Sequence, residues 1–143
     1  MKIRIMNVND YENVYQLWGN TPGMGMRSID DSKDGITKYL NRNPNTCLVA
    51  EAENKIIGVI LSGHDGRRGY IYHAAVEDTA RKQGIGTALV DAALEALKKE
   101  GINKVALVAF CTNELGNLFW EAHSFEARTD LVYRNKSLND NNI

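Results

Sequence analysis

The sequence predicts an α/β fold, a mixed central sheet with helices on both faces. Three apolar runs, Cys47 to Glu51, Ile56 to Leu61 and Tyr70 to Val76, are separated only by short turn segments. They read as three consecutive antiparallel strands. A helix-spaced stretch from Gly84 to Glu100 then leads into a further apolar run, Lys104 to Phe110. A strand, helix, strand crossover of that kind favours parallel pairing.

The elements follow in order. Lys2 to Met6 alternates apolar and charged residues, with Ile3 and Ile5 on one face, and is a first strand. Asn9 with Glu12 forms a capping pair for a helix that carries Val14, Leu17 and Trp18 on one stripe. Gly19 and the segment Asn20-Thr21-Pro22-Gly23 end it, and the loop Met24-Gly25-Met26-Arg27 follows. A second helix after Asp31 turns Ile36, Tyr39 and Leu40 inward, and Asn43-Pro44-Asn45 closes it.

Glu53-Asn54-Lys55 and Asp65 to Gly69 are the turns of the strand meander. Glu77 to Gln83 is a polar loop. In the helix behind it Val90, Leu94 and Leu97 share a face, Asp91, Glu95 and Lys99 take the other, and Gly101 is the C-terminal cap. A last helix spans about Asn113 to His123, and a last strand from Phe125 includes Leu131, Val132 and Tyr133. The expected order is therefore β-α-α-β-β-β-α-β-α-β.

Composition narrows the function classes. A chain of 143 residues has the usual size of one domain, so a single domain over 1–143 with a polar tail at about 135–143 is expected. Such a chain buries roughly 68–70% of its unfolded surface, enough for a core without disulfide or metal. The tail Asn135 to Ile143 is the one segment polar enough to be disordered. Seventeen Lys and Arg against eighteen Asp and Glu argue against a general nucleic-acid binder. No apolar stretch reaches membrane-spanning length, so a cytoplasmic location is expected. Cys47 and Cys111 lie in or beside apolar runs and are expected as buried free thiols. His64, His73 and His123 share no ligand spacing, which leaves no expected metal site.

The chemistry is carried by Arg81-Lys82-Gln83-Gly84-Ile85-Gly86-Thr87-Ala88, between a strand and a helix. Gly84 and Gly86 let the backbone approach a bulky anion without Cβ clashes. The first helical turn leaves N–H groups unpaired at the positive end of the helix dipole, which suits a pyrophosphate. Arg81 and Lys82 add full charges. The segment lacks the third glycine of a dinucleotide fingerprint and the Gly-Lys-Ser/Thr of a P-loop.

This segment resembles the Arg/Gln-x-x-Gly-x-Gly/Ala pyrophosphate loop of the GNAT N-acetyltransferases. Asn113, then Gly116-Asn117, Phe119-Trp120-Glu121 and Ser124-Phe125 resemble that family's Asn-x-x-Ala … Tyr-Glu-Lys-x-Gly-Phe segment. The Leu17-Trp18 helix and the turn at 63–69 resemble small bacterial members of unassigned substrate. Gly116 stands where Ala is commoner, Ser124 where Gly is usual, and Trp120 where many members carry a tyrosine that protonates the departing thiolate. An indole N–H donates hydrogen bonds but is not a useful acid.

The resemblance implies the GNAT-like acyl-CoA N-acyltransferase fold, acetyl-CoA as acyl donor and a primary amine as acceptor, either a small molecule or a protein N-terminus or lysine. It implies that Tyr70 to Val76 splays from Lys104 to Phe110. The pantetheine arm would then pair with backbone around Ala74 to Val76, and one N–H there would polarise the thioester carbonyl. The amides of Gln83, Gly84, Ile85, Gly86 and Thr87 would hold the pyrophosphate. Asn113 and Asn117 would bond the arm, and Trp120 would pack near the sulfur. Base candidates are His73, Tyr72, Glu77 and Glu114, with an ordered water chain as the alternative. His73 is preferred because it titrates in the right range. The acceptor should enter beside Met24 to Arg27, where Arg27 could pair with an acceptor carboxylate. A homodimer is common among small members of such families. Two other readings stay open at this level: a non-catalytic acyl-CoA-binding regulatory module, and a nucleotide-phosphate binder without acyl chemistry.

Overall fold

The structure is a computed structural model and describes residues 1–143. Its sheet has five strands in sequential order: β1 (Lys2–Ile5), β2 (Leu48–Ala52), β3 (Lys55–His64), β4 (Gly69–Val76) and β5 (Val105–Leu107). The first three neighbouring pairs are antiparallel, and β4 with β5 is parallel. The helices are α1 (Tyr11–Gly19), α2 (Lys33–Arg42), α3 (Ile85–Lys99) and α4 (Glu114–Ala122). The mixed sheet and its crossover match the expectation from the strand and helix patterns.

The turn between β2 and β3 consists of Glu53 and Asn54, both at positive φ, between paired Ala52 and Lys55. That is the two-residue turn whose twist suits a hairpin. In β3 the run Val59, Ile60, Leu61 is buried without interruption because helices cover both faces of the sheet. On one face Val14 and Trp18 of α1 and Ile36 and Leu40 of α2 pack on Val49, Val59 and Leu61. On the other, Ile85, Leu89 and Ala93 of α3 pack on Ala50, Ile60 and Ile71. Gly58 lets α3 come close, since a Cβ there would stand 2.9 Å from Leu89 Cδ1.

The cap of the first helical segment lies earlier than Asn9 and Glu12. Asn7 accepts from the N–H of Asn9, and Asp10 Oδ2 accepts from the N–H of Asn7, around a 3-10 turn at Val8–Asp10 that feeds α1. Arg4 bridges Asp10 and Glu51 beside it, each at 2.9 Å.

The C-terminal third departs further from expectation. β5 stops at Leu107 rather than Phe110, and Phe125 onward forms no strand. Leu131, Val132 and Tyr133 are contiguous rather than alternating, so a strand would turn them to opposite faces, and all three are exposed. Because the chain turns away after β5, Cys111 is exposed, whereas Cys47 is buried as expected. The tail is tied down at its end rather than disordered. Asn141, Asn142 and Ile143 share six hydrogen bonds with Ser28, Ile29 and Asp30. Asparagine side chains and main chain supply these bonds without apolar burial, which is why a hydropathy argument overlooks them. No helix is long and apolar enough to cross a membrane.

Candidate functional site

The start of α3 is an array of unpaired donors. The backbone N–H groups of the six residues Lys82 to Thr87 have no protein acceptor, and no side chain caps the helix. Lys82 and Gly84 both take positive φ, at 63° and 78°. The cost of that conformation is small for glycine and larger for lysine. Gly86 has a different use. A Cβ there would meet the Phe119 ring at 3.0 Å, so this glycine seats α4 against α3. His123 at the end of α4 adds a second tie, with Nε2 2.9 Å from Thr87 Oγ1 and Nδ1 2.7 Å from the Phe119 carbonyl. Arg81 is partly engaged: its Nε donates to the Val76 carbonyl at 3.3 Å and its Nη1 pairs with Asp78 at 3.1 Å.

Beside this array the sheet opens. β4 pairs with β5 only over Gly69 to Ile71 yet continues to Val76 along β3. The N–H of Glu77 donates to Ile57, so alternation turns the N–H and C=O groups of Ala75 and His73 toward β3. Those of Ala74 and Val76 face the open side, consistent with Arg81 reaching the Val76 carbonyl. A cavity of about 500 Å³ lies along this end of β4, lined by Asn13, Gln16, Thr21, Val76, Glu77 and Arg81 among others.

The other β4 candidates share one face through a bulge. Leu61 pairs with His73 and Ser62 with Ile71, leaving Tyr72 as the extra residue. Ile71 therefore packs toward α3, while Tyr72 meets Tyr39 of α2 and His73 meets Trp18 of α1. Tyr72 is 56% exposed. Burial first, then the charges of Tyr133 and Asp30, raise its phenol above the ordinary value. His73 is 8% exposed, and its Nε2 stands 2.8 Å from Asp31 Oδ1.

The remaining candidates are more dispersed. Glu77 is paired with Lys55 at 2.7 Å. Glu114 is exposed in the first turn of α4. Asn113 caps α4 by accepting from the N–H of Gly116, and Asn117 Nδ2 donates to the carbonyls of Phe110 and Asn113. Trp120 is half-buried between Phe119 and Phe125, with ring centroids 5.0 and 5.2 Å away. Arg27 contributes its main-chain N–H to Asp31 Oδ2 at 2.6 Å. Sequence reasoning used Asp31 only as a helix boundary and missed it as the partner of His73. No local signal links residues 42 positions apart.

The donor array fits a pyrophosphate, and the open backbone of Ala74 and Val76 fits an amide-bearing chain. The sequence model described as the acetyltransferase (GNAT) family matches residues 11–125. An acetyltransferase of Sodalis glossinidius is 30% identical over 138 residues, covering 96% of each chain. One of Pectobacterium atrosepticum is 34% identical over 108 residues, 76% of this chain and 75% of that one. Among solved structures, the PaiA N-acetyltransferase of Thermoplasma acidophilum in complex with coenzyme A superimposes with a TM-score of 0.74 at 19% identity, covering 85% of this chain and 87% of that one.

Proposed function

The chain belongs to the GNAT acetyltransferase family, and from that premise we propose that it transfers the acetyl group of acetyl-CoA to a primary amine by direct attack. The observation that carries this reading is the run of unpaired N–H groups from Lys82 to Thr87 beside the open end of β4. The coenzyme A complex of the Thermoplasma relative supports the same ligand class.

Bound there, acetyl-CoA supplies an activated thioester whose thiol leaves readily, its pKa being near that of cysteine at about 8.5. The amides of Gln83 to Thr87 hold the pyrophosphate, with Arg81 and Lys82 contributing charge. Ala74 and Val76 pair with the pantetheine arm, and an N–H on this edge polarises the carbonyl. Asn113 and Asn117 flank the arm, and Trp120 packs near the sulfur. Trp120 shields the site without donating a proton, since an indole is no acid. His73 is the base. A lysine-like amine has a pKa of about 10.4, so freeing it near pH 7 costs about 4–5 kcal/mol, and a base lowers that barrier.

The acceptor enters beside Met24 to Arg27 and is a small-molecule amine or a protein N-terminus or lysine. The test is thiol release from acetyl-CoA with a panel of polyamines, amino acids, aminoglycosides and peptides. Amine-dependent release supports the reading. Tight coenzyme A binding with no release above buffer for every amine favours a binding module instead.

A further inference from the structure

His73 and Asp31 are buried together. Asp31 is 5% exposed and His73 8%. Asp31 uses both carboxylate oxygens, Oδ1 on His73 Nε2 at 2.8 Å and Oδ2 on the N–H of Arg27 at 2.6 Å. Its own carbonyl accepts from the Tyr11 hydroxyl at 2.7 Å, which fixes the backbone that carries it. The Trp18 and His73 rings meet edge to face with centroids 4.9 Å apart. The imidazole is thus held by one strand, one helix and one loop.

The two ring nitrogens differ. A carboxylate only accepts, so Nε2 carries the proton of the neutral ring and Nδ1 presents a lone pair. Nδ1 has no protein partner. Trp18 Nε1 is the only side-chain polar atom both unpaired and closed off from solvent, so Nδ1 touches water. We infer that Asp31 is the positioning residue for His73, holding it in the Nε2–H tautomer with Nδ1 free to take a proton from the acceptor ammonium through water. This rests on His73 being the base.

In that step an N–H bond of R–NH3+ breaks, an Nδ1–H bond forms, and the products are R–NH2 and an imidazolium paired with the Asp31 carboxylate. Asp31 is the only carboxylate within ion-pairing distance of His73. The nearby groups are Trp18 and Tyr11 from α1, Tyr39 from α2 against Tyr72, Leu61 from β3, and Tyr72 on β4 itself. None of these is charged near pH 7; the charged residues beside them are Asp30, whose carboxylate acts on Tyr72, and Arg27, whose main-chain N–H is held by Asp31. Asparagine at 31 would remove the charge. It could also present its NH2 to Nε2, which would move the ring proton to Nδ1 and block the lone pair.

The experiment is 15N imidazole NMR of the full chain across pH, with the His73 signal assigned by its loss in His73→Gln, alongside pH–rate profiles. The expected wild-type signal is the Nε2–H tautomer. Asp31→Asn should swap the tautomer, and reduce kcat at least about 10-fold with the KM for acetyl-CoA little changed. An Nδ1–H tautomer in wild type overturns the inference, and that measurement stands even if Asp31→Asn fails to fold. If activity depends on His73 while Asp31→Asn leaves tautomer and rate unchanged, the inference alone is overturned. Full activity in His73→Gln overturns the base reading beneath it.

Discussion

Phe119 of α4 lies against the Cα of Gly86 at the start of α3, so close that a Cβ on residue 86 would stand 3.0 Å from the ring. α4 has no fully buried residue of its own. Its seat on α3 therefore depends on a few contacts, with this one at the centre. The unpaired amides and the helix carrying Asn117 and Trp120 are joined at this glycine and, one residue on, through Thr87 and His123.

Gly86→Val should push Phe119 away and loosen α4 while the sheet and its two core faces stay intact. The expected stability loss is about 1–3 kcal/mol, typical of an overpacked contact. Coenzyme A affinity should fall at least about 10-fold, or about 1.4 kcal/mol. Calorimetric titration with coenzyme A and thermal melts of the same sample read both quantities.

Two glycines with matching φ separate binding from folding. Gly84 and Gly101 have φ of 78° and 81°, and a Cβ on either meets nothing within 4 Å. Alanine at each should cost about 1–2 kcal/mol through the left-handed conformation alone. Gly84→Ala should also weaken coenzyme A binding, because the amides at Lys82 to Thr87 depend on that turn. Gly101→Ala, at the far end of α3, should lower the melting temperature and leave binding unchanged. Equal binding loss in both variants would remove the special role of the α3 start.

The middle of the fold was legible in the sequence because its signals are local. β2, β3 and β4 are apolar runs between turn residues, and α3 has a clear stripe ended by Gly101. The C-terminal third was not, because Val108 and Phe110 look like strand residues but lie beyond the last pairing with β4 and are exposed. The glycine loop was visible as a motif, yet only the fold distinguishes Gly84, needed for its φ, from Gly86, needed for Phe119. Asp31 was invisible as a site residue because its meaning lies in the bulge at Tyr72, which turns His73 toward it.

Acid should weaken the N-terminal ion cluster. Burial alone would raise the Asp10 carboxyl, but Arg4 and the N–H of Asn7 outweigh it and hold it below the ordinary range. A depressed folded pKa contributes stability above the unfolded value of about 3.9, and that contribution is lost as pH falls through the folded value. Arg4→Met should destabilise the chain by about 1–2 kcal/mol at pH 7, a part-buried pair lying between surface and core values. The difference from wild type should shrink below about pH 4. Urea melts at pH 7 and pH 3 check it.

The two thiols should differ sharply toward iodoacetamide. Burial pushes the Cys47 thiol up to about 12, and the residue is closed off, whereas Cys111 is exposed. One equivalent should react in the native state, at Cys111, and the second only on unfolding. Peptide mapping by mass spectrometry identifies the site, and native labelling of Cys47 would contradict the packing of β2 under α1 and α2.

The central claim is that the start of α3 and the open end of β4 hold acetyl-CoA. Calorimetric titration of the wild-type chain with coenzyme A, acetyl-CoA, ATP and NAD tests it most directly. Saturable binding of coenzyme A and acetyl-CoA, with none of NAD and much weaker binding of ATP, is the predicted result. No binding of either thioester or thiol, or equal binding of ATP, would contradict it.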